Sequence, residues 1–182
     1  MPLDSWDTPN HLFFITAATS NWVRLFKDDP YANVLLESFE WHRTHNKFLM
    51  FAFVVMPSHW HAIIKPSTSS IGNCLQSFCS FTAHRIIDLL RAESRCDILD
   101  IFHVNRRDPR SDYSVWQEAF SENIFSEKFL SQKMEYIHDN PVRGKKLVQD
   151  RADYLLSSAR FYDYGIKAVI EIDDIHDFLC GG

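Results

Sequence analysis

Continuous apolar runs and segments with apolar residues at helical spacing alternate along the first half of the chain. Residues 11–19 (HLFFITAAT) are almost entirely apolar, which predicts a strand buried on much of both faces. Asp29 followed by Pro30 is typical of a helix start, and this helix should run to about His45 with His42 inward. Residues 47–55 and 59–65 predict two antiparallel strands joined by a short turn. The predicted order is therefore β-α-β-β.

The segment after the third strand predicts a second helix, a charged loop and a fourth strand. Ser69-Ser70 can cap a second helix over about residues 71–92, with Phe81 among its inward positions. Residues 93–112 are charged and irregular, so we expect a surface loop there, although its arginines are also candidates for contact with a polyanion. Residues 115–124 can form a weak fourth strand.

The last part of the chain predicts one more helix and a C-terminal extension. A third helix begins near Ser126 and ends at Pro141, because proline cannot continue a helix. The acidic tail over residues 169–178 is either an extra edge strand or a docked arm. We expect one domain over residues 1–182, with a core of about residues 11–162 and an acidic C-terminal extension over residues 163–182.

Composition narrows the class of protein. The 182 residues are 46% hydrophobic, and no apolar run approaches the length of a membrane span or forms a leader segment. The four cysteines lack metal-finger spacing, so we expect free thiols in a reducing, cytoplasmic compartment. The net charge of −5 argues against indiscriminate nucleic-acid binding but is compatible with a local basic groove.

Two histidines separated by one residue are the first candidates for chemistry. In a strand, His59 and His61 project to one face, while Trp60 faces the opposite side and is expected in the core. Two converging imidazoles form most of a metal site, but an isolated pair of this kind is also often solvent-facing.

Tyr136 and Asn140 lie one helical turn apart on the third helix. A tyrosine is a poor nucleophile at neutral pH, with a pKa near ~10, and needs a polarised electrophile.

Three motifs in order carry a resemblance to a known family. They are MPSHWHAIIKP (residues 56–66), EYIHDNPVRGKKLV (135–148) and DYLLSSARFY (153–162). Together they resemble the REP-associated tyrosine transposases, within the wider class of single-tyrosine HUH transposases, where HUH means His-hydrophobic-His. The resemblance covers nearly the whole chain. It implies a ferredoxin-like α+β sandwich, with helices packed on an antiparallel sheet, which agrees with the predicted β-α-β-β order.

The resemblance also implies residue roles. His59 and His61, with Asn140 as third protein ligand, would bind a divalent metal, Mg²⁺ or Mn²⁺. Tyr136 would attack single-stranded DNA beside a hairpin, forming a 5′-phosphotyrosine link and releasing a 3′-hydroxyl. Relatives act as monomers or as homodimers, and the sequence leaves both open. His138 is expected on the surface of the third helix.

Basic residues supply candidate contacts to DNA phosphates. The candidates are Arg85, Arg106, Arg107, Lys133, Arg143, Lys145 and Lys146.

Two alternatives to the transposase remain open. One is a domesticated module that binds hairpin DNA without cleavage, and the other is a metal-dependent hydrolase in which His59 and His61 activate water. A non-catalytic interaction protein would show no metal dependence.

Overall fold

The computed structural model describes residues 11–67, 70–143 and 146–176. Within these ranges, four strands form one antiparallel sheet in the order β2-β3-β1-β4. The strands are β1 (Leu12–Thr19), β2 (Phe48–Met56), β3 (His59–Pro66) and β4 (Trp116–Ile124). The helices are α1 (Asp29–Thr44), α2 (Ile71–Ala92), α3 (Cys96–Val104), α4 (Glu127–Asp139) and α5 (Ala159–Tyr164). The predicted α+β sandwich, including its β-α-β-β start and its fourth strand, is confirmed.

Each face of the sheet has its own apolar core, because side chains alternate along every strand. Trp60 of β3 is buried on the face covered by α1 and α2, where its ring meets those of Phe39 and Phe78. The opposite face carries a second core that includes Leu130 and Ile137 of α4. The two histidines of β3 therefore face α4, while Trp60 lies in the core as predicted.

Local signals set the ends of α4. The Ser126 hydroxyl accepts a hydrogen bond from the Phe129 backbone N–H at 3.2 Å, which caps the first turn. Asn140 keeps helical dihedral angles (φ −52°, ψ −43°) although it precedes Pro141, and the assigned helix ends one residue earlier. This conformation continues the helical spiral as far as Asn140.

Two expectations about the middle of the chain are wrong. The segment 93–112 is not only a loop, because it contains α3, whose Ile98, Leu99 and Phe102 are buried at helical spacing among the charges. Phe81 is exposed rather than inward. Thr82 is buried instead. Its hydroxyl donates a hydrogen bond to the Phe78 carbonyl oxygen at 2.8 Å, so this polar group is satisfied in the core.

The tail docks along β2 as an arm, and its described part contains no strand. The Asp173 carboxylate accepts from the Met50 N–H at 2.9 Å, and the Asp173 N–H donates to the Met50 carbonyl oxygen at 2.8 Å. Arg43 of α1 also donates to this carboxylate, and Ile170 and Ile175 are buried. None of the described helices combines the length and apolar character needed to cross a membrane.

Candidate active site

The antiparallel register of β3 with β1 fixes where the two histidines stand. His61 lies opposite Thr16, and His59 lies opposite Ala18. The two imidazole rings project to the α4 face with centroids 5.0 Å apart. The i, i+2 spacing thus brings two nitrogen ligands side by side beneath a helix.

His61 is the more deeply enclosed of the two. Its side chain is 3% exposed, its ring stacks on Phe14 at 5.5 Å, and its Nδ1 lies 2.8 Å from Thr16 Oγ1. Burial, together with the nearby His59, lowers its pKa to about 3, so the ring is neutral at pH 7. A hydrogen bond with the backbone of Ile15 partly opposes that shift.

His61 Nε2 is a buried ring nitrogen that could bind a ligand. It is buried and has no hydrogen-bond partner among the described residues. Thr16 contacts Nδ1, so Nε2 is the ring nitrogen that is left to bind a ligand. A buried imidazole nitrogen left without a partner costs stability unless something occupies it.

His59 connects the histidine pair to α4. Burial lowers its pKa, and a hydrogen bond with the Asn140 side chain partly opposes that shift. On its other side, the His59 ring meets the Trp22 indole edge-on at 5.6 Å. The end of α4 is therefore tied to the start of β3 by a side-chain contact.

Tyr136 completes the cluster. Its ring lies 5.1 Å from that of His61 and 5.8 Å from that of Phe14, both edge-on. The side chain is nevertheless 40% exposed, so a reactant can approach it from solvent. The structure thus brings His59, His61, Tyr136 and Asn140 together, although 75 positions of sequence separate His61 from Tyr136.

The donor set fits a divalent cation of moderate softness. Among the described residues, no group of three or more His, Cys, Asp and Glu side chains is placed to hold a metal. Two neutral imidazoles and an amide are a different donor set, and the partnerless Nε2 of His61 is the observation that favours a ligand there. The residues that would hold the ion are His59, His61 and Asn140.

His138 does not lie on the surface as predicted. It is buried, and its Nε2 lies 2.9 Å from the Ser158 hydroxyl, which also contacts the backbone of Phe53. Burial lowers its pKa to about 4. The reason for the difference is that the segment before α5 folds back over α4 and covers the position two residues after Tyr136.

Two candidate DNA contacts lie on α4 or directly after it. Lys133 stands 4.2 Å above the Phe14 ring and forms an ion pair with Glu122 at 2.6 Å. Arg143 is exposed and pairs with Asp139 at 2.9 Å. Both cations are therefore near the tyrosine helix but already have an acidic partner.

The other candidates lie on α2, after α3 and after α4, and are Arg85, Arg106, Arg107, Lys145 and Lys146. Arg85 belongs to the helix pair on the opposite face of the sheet and is paired with Glu37. Arg106 donates to the His103 carbonyl oxygen at 2.7 Å. Lys146 is exposed, whereas Lys145 lies outside the described residues.

Three supporting residues escaped the sequence analysis. Phe14 and Thr16 hold the His61 ring, and Trp22 contacts His59. The one available signal was Thr16, a polar residue within the apolar run of β1. Nothing in the local sequence connects Phe14 or Trp22 to a histidine some forty positions away.

No protein-family model and no curated protein matches this sequence. Among solved structures, the chain is similar to a REP-associated tyrosine transposase bound to a REP hairpin, with a TM-score of 0.60 and 16% identity over 96% of this chain and 93% of that chain. It is also similar to a transposase-like protein of Deinococcus radiodurans, with a TM-score of 0.47 and 17% identity over 76% of this chain and 97% of that one. The resemblance carried by the motifs therefore holds at the level of the fold: this chain has the fold of a REP-associated tyrosine transposase.

Proposed function

We propose that this chain is an HUH-type tyrosine transposase, a metal-dependent endonuclease and strand transferase for single-stranded DNA beside a hairpin. The observation that carries the proposal is the contact of the exposed Tyr136 ring with the buried His61, whose ring lies beside that of the half-buried His59. The shared fold adds support, because the solved relative is a transposase bound to a REP hairpin.

In the proposed reaction, the Tyr136 oxygen attacks the phosphorus of a DNA phosphodiester. A bond forms between that oxygen and phosphorus, and the bond from phosphorus to the 3′ oxygen breaks. The phenol loses its proton and the departing 3′ oxygen gains one, so the products are a 5′-phosphotyrosine and a 3′-hydroxyl. The reverse attack by a 3′-hydroxyl rejoins DNA without another energy source.

The side chains around the tyrosine have separate tasks. His59, His61 and Asn140 would hold Mg²⁺ or Mn²⁺, and a bound divalent cation supplies Lewis-acid polarisation of the phosphodiester. The hydrogen bond between Thr16 and His61 fixes the orientation of the ring. Burial keeps both imidazoles neutral near pH 7, which is the form that binds metal.

A covalent-trapping assay tests the proposal. Labelled single-stranded DNA that contains a hairpin is incubated with the protein and Mn²⁺, and the products are separated on a denaturing gel. We expect a shifted protein–DNA band that EDTA and Tyr136→Phe both abolish, while Tyr136→Phe leaves DNA binding unchanged. Tyr164→Phe is the matched control, because Tyr164 is also exposed but bonds to Asp150.

Two outcomes would contradict the proposal and select an alternative. Cut DNA without a covalent adduct, persisting in Tyr136→Phe, would favour a hydrolase in which the histidine pair activates water. Hairpin binding without any cleavage, unaffected by metal, would favour a binding module.

A further inference from the structure

Two exposed aromatic side chains lie near the histidine pair. Trp22, after β1, is 56% exposed and touches the His59 ring, and Phe120 of β4 is 57% exposed. Phe120 lies opposite Thr16 in the β1–β4 register, and Thr16 lies opposite His61. Directly paired residues share a face, so Phe120 projects to the same side as His61, with their Cα atoms about 10 Å apart.

Trp22 is held in place in an unfavourable backbone conformation. Its φ is +54°, in the left-handed region that residues other than glycine and asparagine seldom adopt. The turn is anchored on both sides, because the Ser20 N–H donates to the Val115 carbonyl oxygen and Thr19 Oγ1 donates to that of Val23. A strained, anchored and solvent-exposed indole beside a reactive cluster points to a binding role.

The negative charge of the chain favours stacking as one source of affinity. The whole chain has a net charge of −5. On and just after the tyrosine helix, Lys133 and Arg143 are paired with acidic residues, whereas Lys128 and Lys146 are exposed. Aromatic faces bind unpaired bases without needing net positive charge, because every base has a π-face.

We propose that Trp22 and Phe120 are stacking platforms for unpaired bases of the strand whose phosphodiester is presented to Tyr136. This inference rests on the proposed function, and it names the substrate form as a single strand with its bases unstacked at the site. Trp22 contacts His59 just past the end of β1, and Phe120 lies two strands away from His61, so a strand that contacts both passes beside the histidine pair.

The test measures the affinity of a fluorescein-labelled single strand of mixed sequence by anisotropy. The protein carries Tyr136→Phe, so that the DNA stays intact. We expect Trp22→Ala and Phe120→Ala each to weaken binding about tenfold or more, the effect of losing one stacked base. Trp22→Phe and Phe120→Tyr keep an aromatic face and should bind within about threefold of the parent.

Matched controls exist on the other face of the sheet. Trp41→Ala and Phe81→Ala remove exposed aromatic side chains from α1 and α2 and should leave the affinity unchanged. Trp22→Gly relieves the left-handed strain, so its melting temperature should equal or exceed that of the parent while its DNA affinity falls. An unchanged melting temperature together with weaker DNA binding would show that the variant has lost stacking and not its fold.

An abasic scan then locates the stacked bases. Replacing single nucleotides by abasic sites should weaken binding at two positions, and Trp22→Ala should remove the sensitivity at one of them. The inference is overturned if the strand does not bind, if both alanine variants bind as the parent does, or if Trp41→Ala and Phe81→Ala weaken binding as much.

The outcomes separate this inference from the proposed function. If the wild-type chain forms the covalent adduct while the alanine variants bind normally, the stacking platforms are wrong and the transposase proposal stands. If the platforms bind the strand but no adduct forms with metal, the catalytic proposal fails and the binding site stands.

Discussion

Arg151 is expected to be a main support of the helix that carries the tyrosine. Its guanidinium forms a paired contact with Asp163 of α5 at 2.6 and 2.7 Å. It also bonds to Glu135 at 2.7 Å and to Asp139 at 3.0 Å, and these two residues flank Tyr136 on α4. One cation therefore joins three carboxylates and connects α4 to α5.

The expected cost of removing this cation lies between the values for exposed and buried ion pairs. The side chains of Arg151, Asp163 and Asp139 are 23%, 21% and 26% exposed, whereas Glu135 is 57% exposed. Exposed pairs contribute about 0–1 kcal/mol and a broken buried pair costs about 3–5 kcal/mol. We therefore expect Arg151→Met to lower the free energy of unfolding by about 2 kcal/mol, or the melting temperature by about 4–8 °C.

The assay is thermal unfolding by circular dichroism, combined with the rate of adduct formation well below the melting temperature. Arg110→Met is the matched control, because Arg110 pairs with Asp108 and its side chain is 90% exposed. Adding Asp163→Asn to Arg151→Met should restore part of the stability, since it removes one of the unpaired carboxylates. Equal melting temperatures for Arg151→Met and Arg110→Met would refute the reasoning.

Three further predictions concern His61, His42 and the tail. Thr16→Val removes the hydrogen bond to His61 Nδ1 and should weaken Mn²⁺ binding, measured by titration calorimetry, about 10–100-fold. Burial lowers the pKa of His42 in the folded state, so the imidazole of the unfolded chain is protonated first as the pH falls. The free energy of unfolding should therefore decrease below about pH 6.5. In urea unfolding, His42→Gln should reduce this decrease by up to about 1.4 kcal/mol per pH unit. Asp173→Ala leaves the Met50 N–H without its carboxylate and should lower the free energy of unfolding by about 1–3 kcal/mol in the same urea assay.

Each of these has its own control. Thr16→Ser keeps the hydroxyl and should keep the metal affinity, so an equal loss in both variants would contradict the hydrogen-bond argument. For His42→Gln, the parent protein in the same urea assay is the reference, and an equal loss of stability in both below about pH 6.5 would exclude His42 as the cause. Asp173→Asn retains an acceptor and should lose less stability than Asp173→Ala.

The sequence alone defined the elements of the candidate site. A period of two placed His59 and His61 on one face of β3 and sent Trp60 into the opposite core. Ser126 and Pro141 bounded the helix that carries Tyr136, because capping and termination depend on residues within one turn. Such signals are local, so they can be read before any tertiary contact is known.

Only the tertiary structure decided how those elements meet. The register of β3 against β1 selected Phe14 and Thr16 as the neighbours of His61, and the docking of α4 brought Tyr136 to the same ring. His138 is buried because a later segment covers it through Ser158. Contacts of this kind depend on how two packed faces fit across long stretches of chain, and local periodicity carries no information about that fit.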